Sequence, residues 1–288
     1  MAFVDVQESV WLVTGASVGF GRAIAKEVLG RGGRVVATAR DRGSIADLET
    51  GAADRVLALP LDVTQQDQIA AAVQAAEARF GRIDVLVNNA GYGFLSGMEE
   101  ASDAEARTQF DVNFFGLVAM TKAVLPLMRR QRSGRIVNLS SAAGVFGVGG
   151  SAFYTASKFA VEGLSECLAQ EVAPFGIGVL IVEPGAFRTE FFGRSMAKPA
   201  NPIADYESLA ATRAQLDKMD GLQPGNPALA ATAIVDTVLS GAPRLRLVLG
   251  SGAFDRIRRA LEARIEEVDA TRSVAKSVDF PLSERRSG

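Results

Sequence analysis

Residues 10–30 read "VWLVTGASVGFGRAIAKEVLG": an apolar run, a turn with glycines at 15, 19 and 21, and a helix-patterned segment from about 21 to 31. The apolar run does not alternate with polar residues, so it reads as a strand covered on both faces. A strand, a glycine-rich turn and a helix in succession form the opening of a parallel α/β unit.

The pattern repeats along the chain. Further β-rich runs lie at 34–39, 55–62, 83–91, 134–141, 178–185 and 244–250, and helix-patterned segments separate them, including about 65–80, 103–132, 152–173 and 226–240. Seven strands alternating with helices predict an α/β fold with a doubly wound, parallel seven-stranded sheet between two helical layers, as one domain over 1–288 with its core at about 10–250. Ligand sites then belong just beyond the carboxyl ends of the strands. About 187–227 is too long for a plain connection and reads as a substrate lid. Within 251–288, Ile257, Leu261, Ile265 and Val268 line one face of a helix; a polar, loose tail follows from about residue 271.

Composition excludes several function classes. Of 288 residues, 48% are hydrophobic and 22% charged, values of an ordinary globular chain. A net charge of −2 argues against nucleic acid or an anionic membrane as the main partner. The lone Cys167 has no disulfide partner, and with no histidine in the chain a metal site has little to build on; Cys167 reads as a small buried hydrophobe. The amino-terminal stretch lacks the pattern of a secretion signal, and no run approaches about 18 uninterrupted apolar residues, so the expected location is the cytoplasm.

Without histidine, proton transfer needs another group. In the turn, Gly15, Ser17, Gly19, Phe20 and Gly21 let a pyrophosphate approach the free N–H groups of a helix start, although the same turn can be merely tight. Arg40 stands where an NAD site places a carboxylate, so it can pair with a 2′-phosphate and favours NADP over NAD; otherwise it is a solvated strand-end arginine. Asp62, followed by Val63, reads as an adenine acceptor or as an Asx-type turn residue. Asn89, Ala90 and Gly91 let the backbone pass close to a ribose, whereas Asn88 either joins them or ties strands together. In "FYTASK" (153–158), Tyr154 and Lys158 stand one helical turn apart, and the cation is expected to lower the phenol's pKa. Of the three tyrosines only Tyr154 has such a neighbour. Ser141, thirteen residues earlier, can hydrogen-bond a substrate carbonyl.

Together, "TGASVGFG", "LDV", "NNAG", Asn113 in "DVNFFG", "LSS", "YTASK" and "EPGAFRT" resemble the short-chain dehydrogenase/reductase family, from about residue 10 to 250. The resemblance implies a Rossmann-like fold and a catalytic set of Asn113, Ser141, Tyr154 and Lys158, with Tyr154 and Lys158 also touching the cofactor. It places Pro184, Gly185, Phe187 and Thr189 along the nicotinamide, and it implies a homodimer or homotetramer. The expected substrate is a small carbonyl or alcohol compound. Phe94, Val145 and Phe146 near strand ends, with Phe187, Phe191, Phe192 and Met196 in the insertion, suggest a lipophilic one. A non-catalytic NADP(H) sensor would be expected to lack Ser141, Tyr154 or Lys158. A sugar-nucleotide epimerase would carry a different glycine turn and a larger carboxyl-terminal domain.

Overall fold

A computed structural model describes residues 5–242 and 244–280. Among them the strands are β1 (Val10–Val13), β2 (Arg34–Ala39), β3 (Val56–Pro60), β4 (Val85–Asn88), β5 (Gly93–Phe94), β6 (Gly134–Leu139), β7 (Ile177–Pro184), β8 (Met196–Ala197) and β9 (Arg246–Leu249). Seven form one sheet in the order β3-β2-β1-β4-β6-β7-β9, every pairing parallel. The strand order reverses at β1, which opens a crevice between the carboxyl ends of β1 and β4.

Both faces of the sheet are covered. Trp11 and Val13 of β1 face one core layer with Val35 and Ala37, closed by Ile24 and Val28 of α1 (Gly19–Gly30) and Ile234 of α7 (Pro227–Leu239). Val10 and Leu12 face the other, with Leu86, Ile136 and residues of α2 (Gln66–Phe80), α4 (Gly116–Gln131) and α5 (Ala152–Val172). Successive side chains point to opposite faces, so a strand apolar at every position is what a sheet buried on both sides requires. Gly81 ends α2 in the left-handed conformation, φ 75°, as its place after Phe80 suggests.

Several expectations need correction. The stretch 103–132 is not one regular helix: α3 (Asp103–Phe110) passes through a π turn at Asp111–Phe115 before α4 begins. By length and composition Asp103–Gln131 would suffice to cross a membrane, but Leu117, Met120, Val124, Leu127 and Met128 are buried in the core of this fold. Between β2 and β3 the chain forms a 3-10 helix, Arg42–Glu49, begun by Asp41 accepting from the Gly43 N–H. Cys167 lies exposed on α5 rather than buried.

The insertion holds a strand as well as a helix. It contributes β8, which pairs in parallel with β5, and α6 (Glu207–Met219). Beyond the sheet, α8 (Ser251–Ala270) buries only Ala253 and Ile257, so its apolar face is mostly uncovered. The tail expected to be loose begins instead with a short helix, α9 (Arg272–Ser277); its last residues, 281–288, lie outside the described ones, as do 1–4 at the start.

Candidate active site

A cavity of about 720 Å³ opens beyond the carboxyl ends of β1, β4 and β6. Its floor is the glycine turn. Gly15 and Gly19 have φ of +67° and +58°, where a side chain would be strained. Val18, at the N-cap of α1, supplies no side-chain cap, so the N–H groups of the first turn have no side-chain partner there. Gly15, Ser17, Gly19 and Phe20 line the cavity, but Gly21 does not. A Cβ on Gly21 would sit 2.4 Å from both the Asn89 amide nitrogen and the Gly15 carbonyl oxygen, so this glycine packs the turn rather than facing a ligand.

Asn89 holds that turn from below. Its Nδ2 donates to the carbonyls of Thr14 at 2.8 Å and Gly15 at 3.0 Å. The Thr14 hydroxyl in turn accepts from the N–H groups of Asn89 and Ala90. Asn88 takes the structural alternative: its amide donates to Thr121 and to Asn138 at 2.9 Å, and Asn138 donates to Ser165, tying β4, β6 and α5 together.

Arg40 lines the cavity, and among the described residues no carboxylate pairs with it. Asp62 keeps both of its readings: it faces the cavity, while one carboxylate oxygen accepts from the N–H and hydroxyl of Thr64 in an Asx-type turn. Val63, Ala90 and Gly91 continue the wall, and Pro184, Gly185, Phe187 and Thr189 complete it from the end of β7. Phe187 meets Phe20 edge to face at 5.0 Å across the cleft.

The serine, tyrosine and lysine converge from two elements. Ser141 follows β6 in extended backbone and begins a 3-10 turn by accepting from the Ala143 N–H. Tyr154 and Lys158 project from α5, with the ammonium 5.8 Å from the phenol ring centroid. All three line the cavity. Lys158 Nζ donates to the Leu139 carbonyl at 2.7 Å, which anchors it to the end of β6. Ser140 also borders the cavity but is buried beside Glu162, whereas Ser141 is the serine that hydrogen-bonds with Tyr154.

The expected fall in the Tyr154 pKa does not occur in the protein alone. Burial pushes the phenol up to about 12, and hydrogen bonding with Ser141 only partly counters it. Burial also brings the Lys158 ammonium down to about 8, against the opposing pull of Glu162. Desolvation disfavours the charged form of each group, and here it outweighs the hydrogen bond with Ser141 and the charge of Glu162.

Asn113 does not line the cavity. It is buried on the π turn, where its side chain accepts from the Tyr92 N–H at 3.0 Å and donates to the Tyr92 carbonyl at 2.9 Å. Its amide stands 3.4 Å from the Ser157 hydroxyl, so it reaches α5 from behind. A π turn at such a place is a frequent mark of a functional site.

At the wider end, Phe191 packs on Tyr154 at 5.7 Å and on Phe192 at 6.0 Å, while Phe94 stacks on Phe153. Phe146 lines the wall beneath the Arg256 guanidinium, 4.6 Å from the ring centroid. Val145 does not line it and packs instead in a small cluster with Ala142, Ala253 and Ile257. Leu216 of α6 and Arg256 of α8 also reach the cavity, and no local motif marks either of them in the sequence. The glycine cradle, the uncapped helix start and an unpaired arginine at the strand end fit a nicotinamide dinucleotide.

Comparison with known proteins agrees with this geometry. The family model described as short chain dehydrogenase matches residues 9–200. The 3-ketodihydrosphingosine reductase of Bacteroides thetaiotaomicron is 43% identical over 202 residues, 70% of this chain and 72% of the relative. A crystal structure of a short-chain dehydrogenase from Streptomyces avermitilis superposes with a TM-score of 0.88 at 44% identity, covering 94% of this chain and 99% of the other. One from Burkholderia phymatum, solved in complex with NAD, gives 0.79 at 25% identity, covering 97% and 99%. With the parallel sheet, the glycine turn and the Ser-Tyr-Lys cluster in place, the chain belongs to the short-chain dehydrogenase family and is an oxidoreductase fold of that kind.

Proposed function

We propose that this protein transfers hydride between NADP(H) and a carbonyl or alcohol carbon of a small lipophilic substrate, with Tyr154 as general acid in reduction and general base in oxidation. The observation that carries the reading is the convergence of Ser141, Tyr154 and Lys158 on the cavity that the glycine turn floors. The nicotinamide, when bound, supplies or accepts the hydride.

The chain's own residues do the rest. Ser141 hydrogen-bonds the substrate oxygen and orients it toward Tyr154, whose hydroxyl delivers or takes the proton. Lys158, fixed on the Leu139 carbonyl, holds a positive charge beside the phenol and would hold the nicotinamide ribose of a bound dinucleotide. Asn113, reaching Ser157 and the Tyr92 backbone, positions the inner end of the proton path. Gly15, Ser17, Gly19 and Phe20 receive the pyrophosphate, with Asn89 and Gly21 keeping the turn tight. Asp62, Val63, Ala90 and Gly91 border the adenosine, and Pro184, Gly185, Phe187 and Thr189 border the nicotinamide.

Arg40 supports NADP over NAD because, among the described residues, its guanidinium has no carboxylate partner, and it suits a 2′-phosphate. The Burkholderia neighbour bound NAD, so the preference is tested on this chain itself. Phe94, Phe146 and Phe191 offer an apolar wall, and residues 187–227 act as a lid over it. Location in the cytoplasm and assembly as a homodimer or homotetramer belong to the same reading. A non-catalytic NADP(H) sensor is the second reading, and retention of Ser141, Tyr154 and Lys158 speaks against it.

The test is turnover of a panel of apolar ketones, aldehydes and alcohols with NADPH and NADH. Wild type should turn over at least one with higher kcat/KM for NADPH, and Tyr154→Phe should lose nearly all kcat while still binding the dinucleotide. Wild-type turnover in Tyr154→Phe would refute the assignment. A preference for NADH that Arg40→Ala leaves unchanged would refute the role of Arg40.

A further inference from the structure

From Leu261 to Phe280 every described residue is exposed, so the outer half of α8 leaves the body of the protein as an arm. Ten helical residues, Leu261 to Ala270, extend about 15 Å. A helix this short is marginal in water by itself, and helices in proteins draw most of their stability from packing an apolar face. The arm has such a face: Leu261, Ile265 and Val268 follow the spacing of Ile257 but are 48%, 61% and 64% exposed.

Its charges run against its own dipole. The first half of α8 holds Arg256, Arg258 and Arg259 against Asp255, and the second half holds Glu262, Glu266, Glu267 and Asp269 against Arg264. A helix favours acids at its start and bases at its end, and α8 has no acid in its first turn and no base in its last. An antiparallel partner with the same sequence removes the conflict, because each basic half then faces an acidic half.

We propose that α8 pairs with α8 of a second copy of this chain, antiparallel and about a two-fold axis. Setting Leu261 against Ile265 of the second copy brings Arg258 within one residue of the second copy's Asp269, and the axis repeats both contacts. Arg258 and Asp269 are eleven residues apart, three helical turns, so both lie on one edge of the apolar stripe. A two-fold contact is isologous, which is what a self-complementary charge pattern requires. Among the described residues Arg258 meets only Glu262, and Asp269 only Arg272, in exposed pairs of little energy.

The test uses the full chain in a Cys167→Ser background. Arg258→Cys and Asp269→Cys chains, each purified and then mixed, should cross-link to one another with a short bismaleimide and not each to itself. In sedimentation equilibrium, Arg258→Glu and Asp269→Arg should each weaken the α8-dependent association about tenfold, and the double reversal should restore it. Ile265→Glu should abolish it with the near-ultraviolet circular dichroism of the body unchanged, since in the single chain the site is solvent-exposed and lies outside the core. The proposal is overturned if Ile265→Glu sediments as wild type, if the mixed cross-link fails, or if the double reversal does not restore association. Flotation of wild type, but not Ile265→Glu, with phosphatidylserine vesicles in place of self-association would assign the arm to a membrane surface and overturn it equally.

Discussion

Replacing Arg213 by Ala tests what fastens α6 to the body of the protein. Arg213, on α6, donates to both oxygens of Glu100 at 2.7 and 3.1 Å, and the same carboxylate accepts from the N–H groups of Gly97 and Ile203. The Glu100 side chain is fully buried and that of Arg213 is 12% exposed. The guanidinium holds the Glu100 carboxyl down from 4.5 to about 2, burial opposes this, and the two backbone N–H groups add to it. Removing one member of a buried pair costs about 3–5 kcal/mol. The partly open arginine end argues for the lower figure, and about 3 kcal/mol amounts to roughly a 100-fold larger open population. Two other side-chain ties of this segment, Lys198 to Asp217 and Tyr206 to Glu99, are exposed and weak. Hydrogen exchange of residues 203–219 should therefore accelerate about 100-fold in Arg213→Ala, while β1, β4 and β6 keep their protection. A carboxyl whose folded pKa lies below its unfolded one stabilises fully above the unfolded value and loses that stabilisation as pH falls through the folded one. The wild-type clasp should hold from neutrality down to about pH 4.5 and weaken only toward about 2. Equal exchange of 203–219 in variant and wild type, or wild-type opening already near neutrality, would refute this account.

Other substitutions probe the floor and the rear of the site. Gly21→Ala should weaken dinucleotide binding at least tenfold in a fluorescence titration, because the new Cβ would strike Asn89 and Gly15 at 2.4 Å. Asn88→Ala should lower stability by about 1–3 kcal/mol in urea unfolding, since it leaves the buried Asn138 carbonyl oxygen without its donor. Glu183 is pushed up to about 7, first by burial and then by Glu162, with Arg246 pulling the other way. Its folded form binds a proton more readily than its unfolded form, so stability should fall as pH rises from about 4.5 through about 7, and Glu183→Gln should flatten that part of the melting-temperature profile.

The fold could be read from the sequence because its determinants are local and repetitive. Trp11 and Val13 face one core and Val10 and Leu12 the other, so each strand announces by itself that both faces are buried. Ser141, Tyr154 and Lys158 were visible as a spacing, since a strand end and one helical turn fix their relation. Pairings across long separations left no such trace. Glu100 and Arg213 are 113 residues apart, and neither stands in a motif. The π turn that buries Asn113 is also silent, because one extra residue in a helical turn leaves the apolar pattern nearly intact. Val145 and Gly21 were misplaced for a related reason: being close to a site in sequence does not say which way a residue faces.

For the mechanism proposed above, the absence of histidine bears on the state in which the proton moves. Burial alone drives Tyr154 to about 12 and Lys158 to about 8, so in the protein by itself the phenol is a poor base and the ammonium is only weakly held. The dry cavity that produces these shifts also magnifies any charge brought into it, because Coulomb interactions grow as the effective dielectric falls. A cationic ring beside Tyr154 would therefore lower the phenol by more than it would in water, and it would lower Lys158 as well. An imidazole near neutrality would need no such help and would accept protons whether or not a cofactor was present. A buried tyrosine becomes basic only when positive charge is close, so its chemistry is tied to an occupied site. The pH dependence of kcat in oxidation should accordingly show an apparent pKa well below about 12, and a base limb at that value with the cofactor saturating would break the link between occupancy and proton transfer.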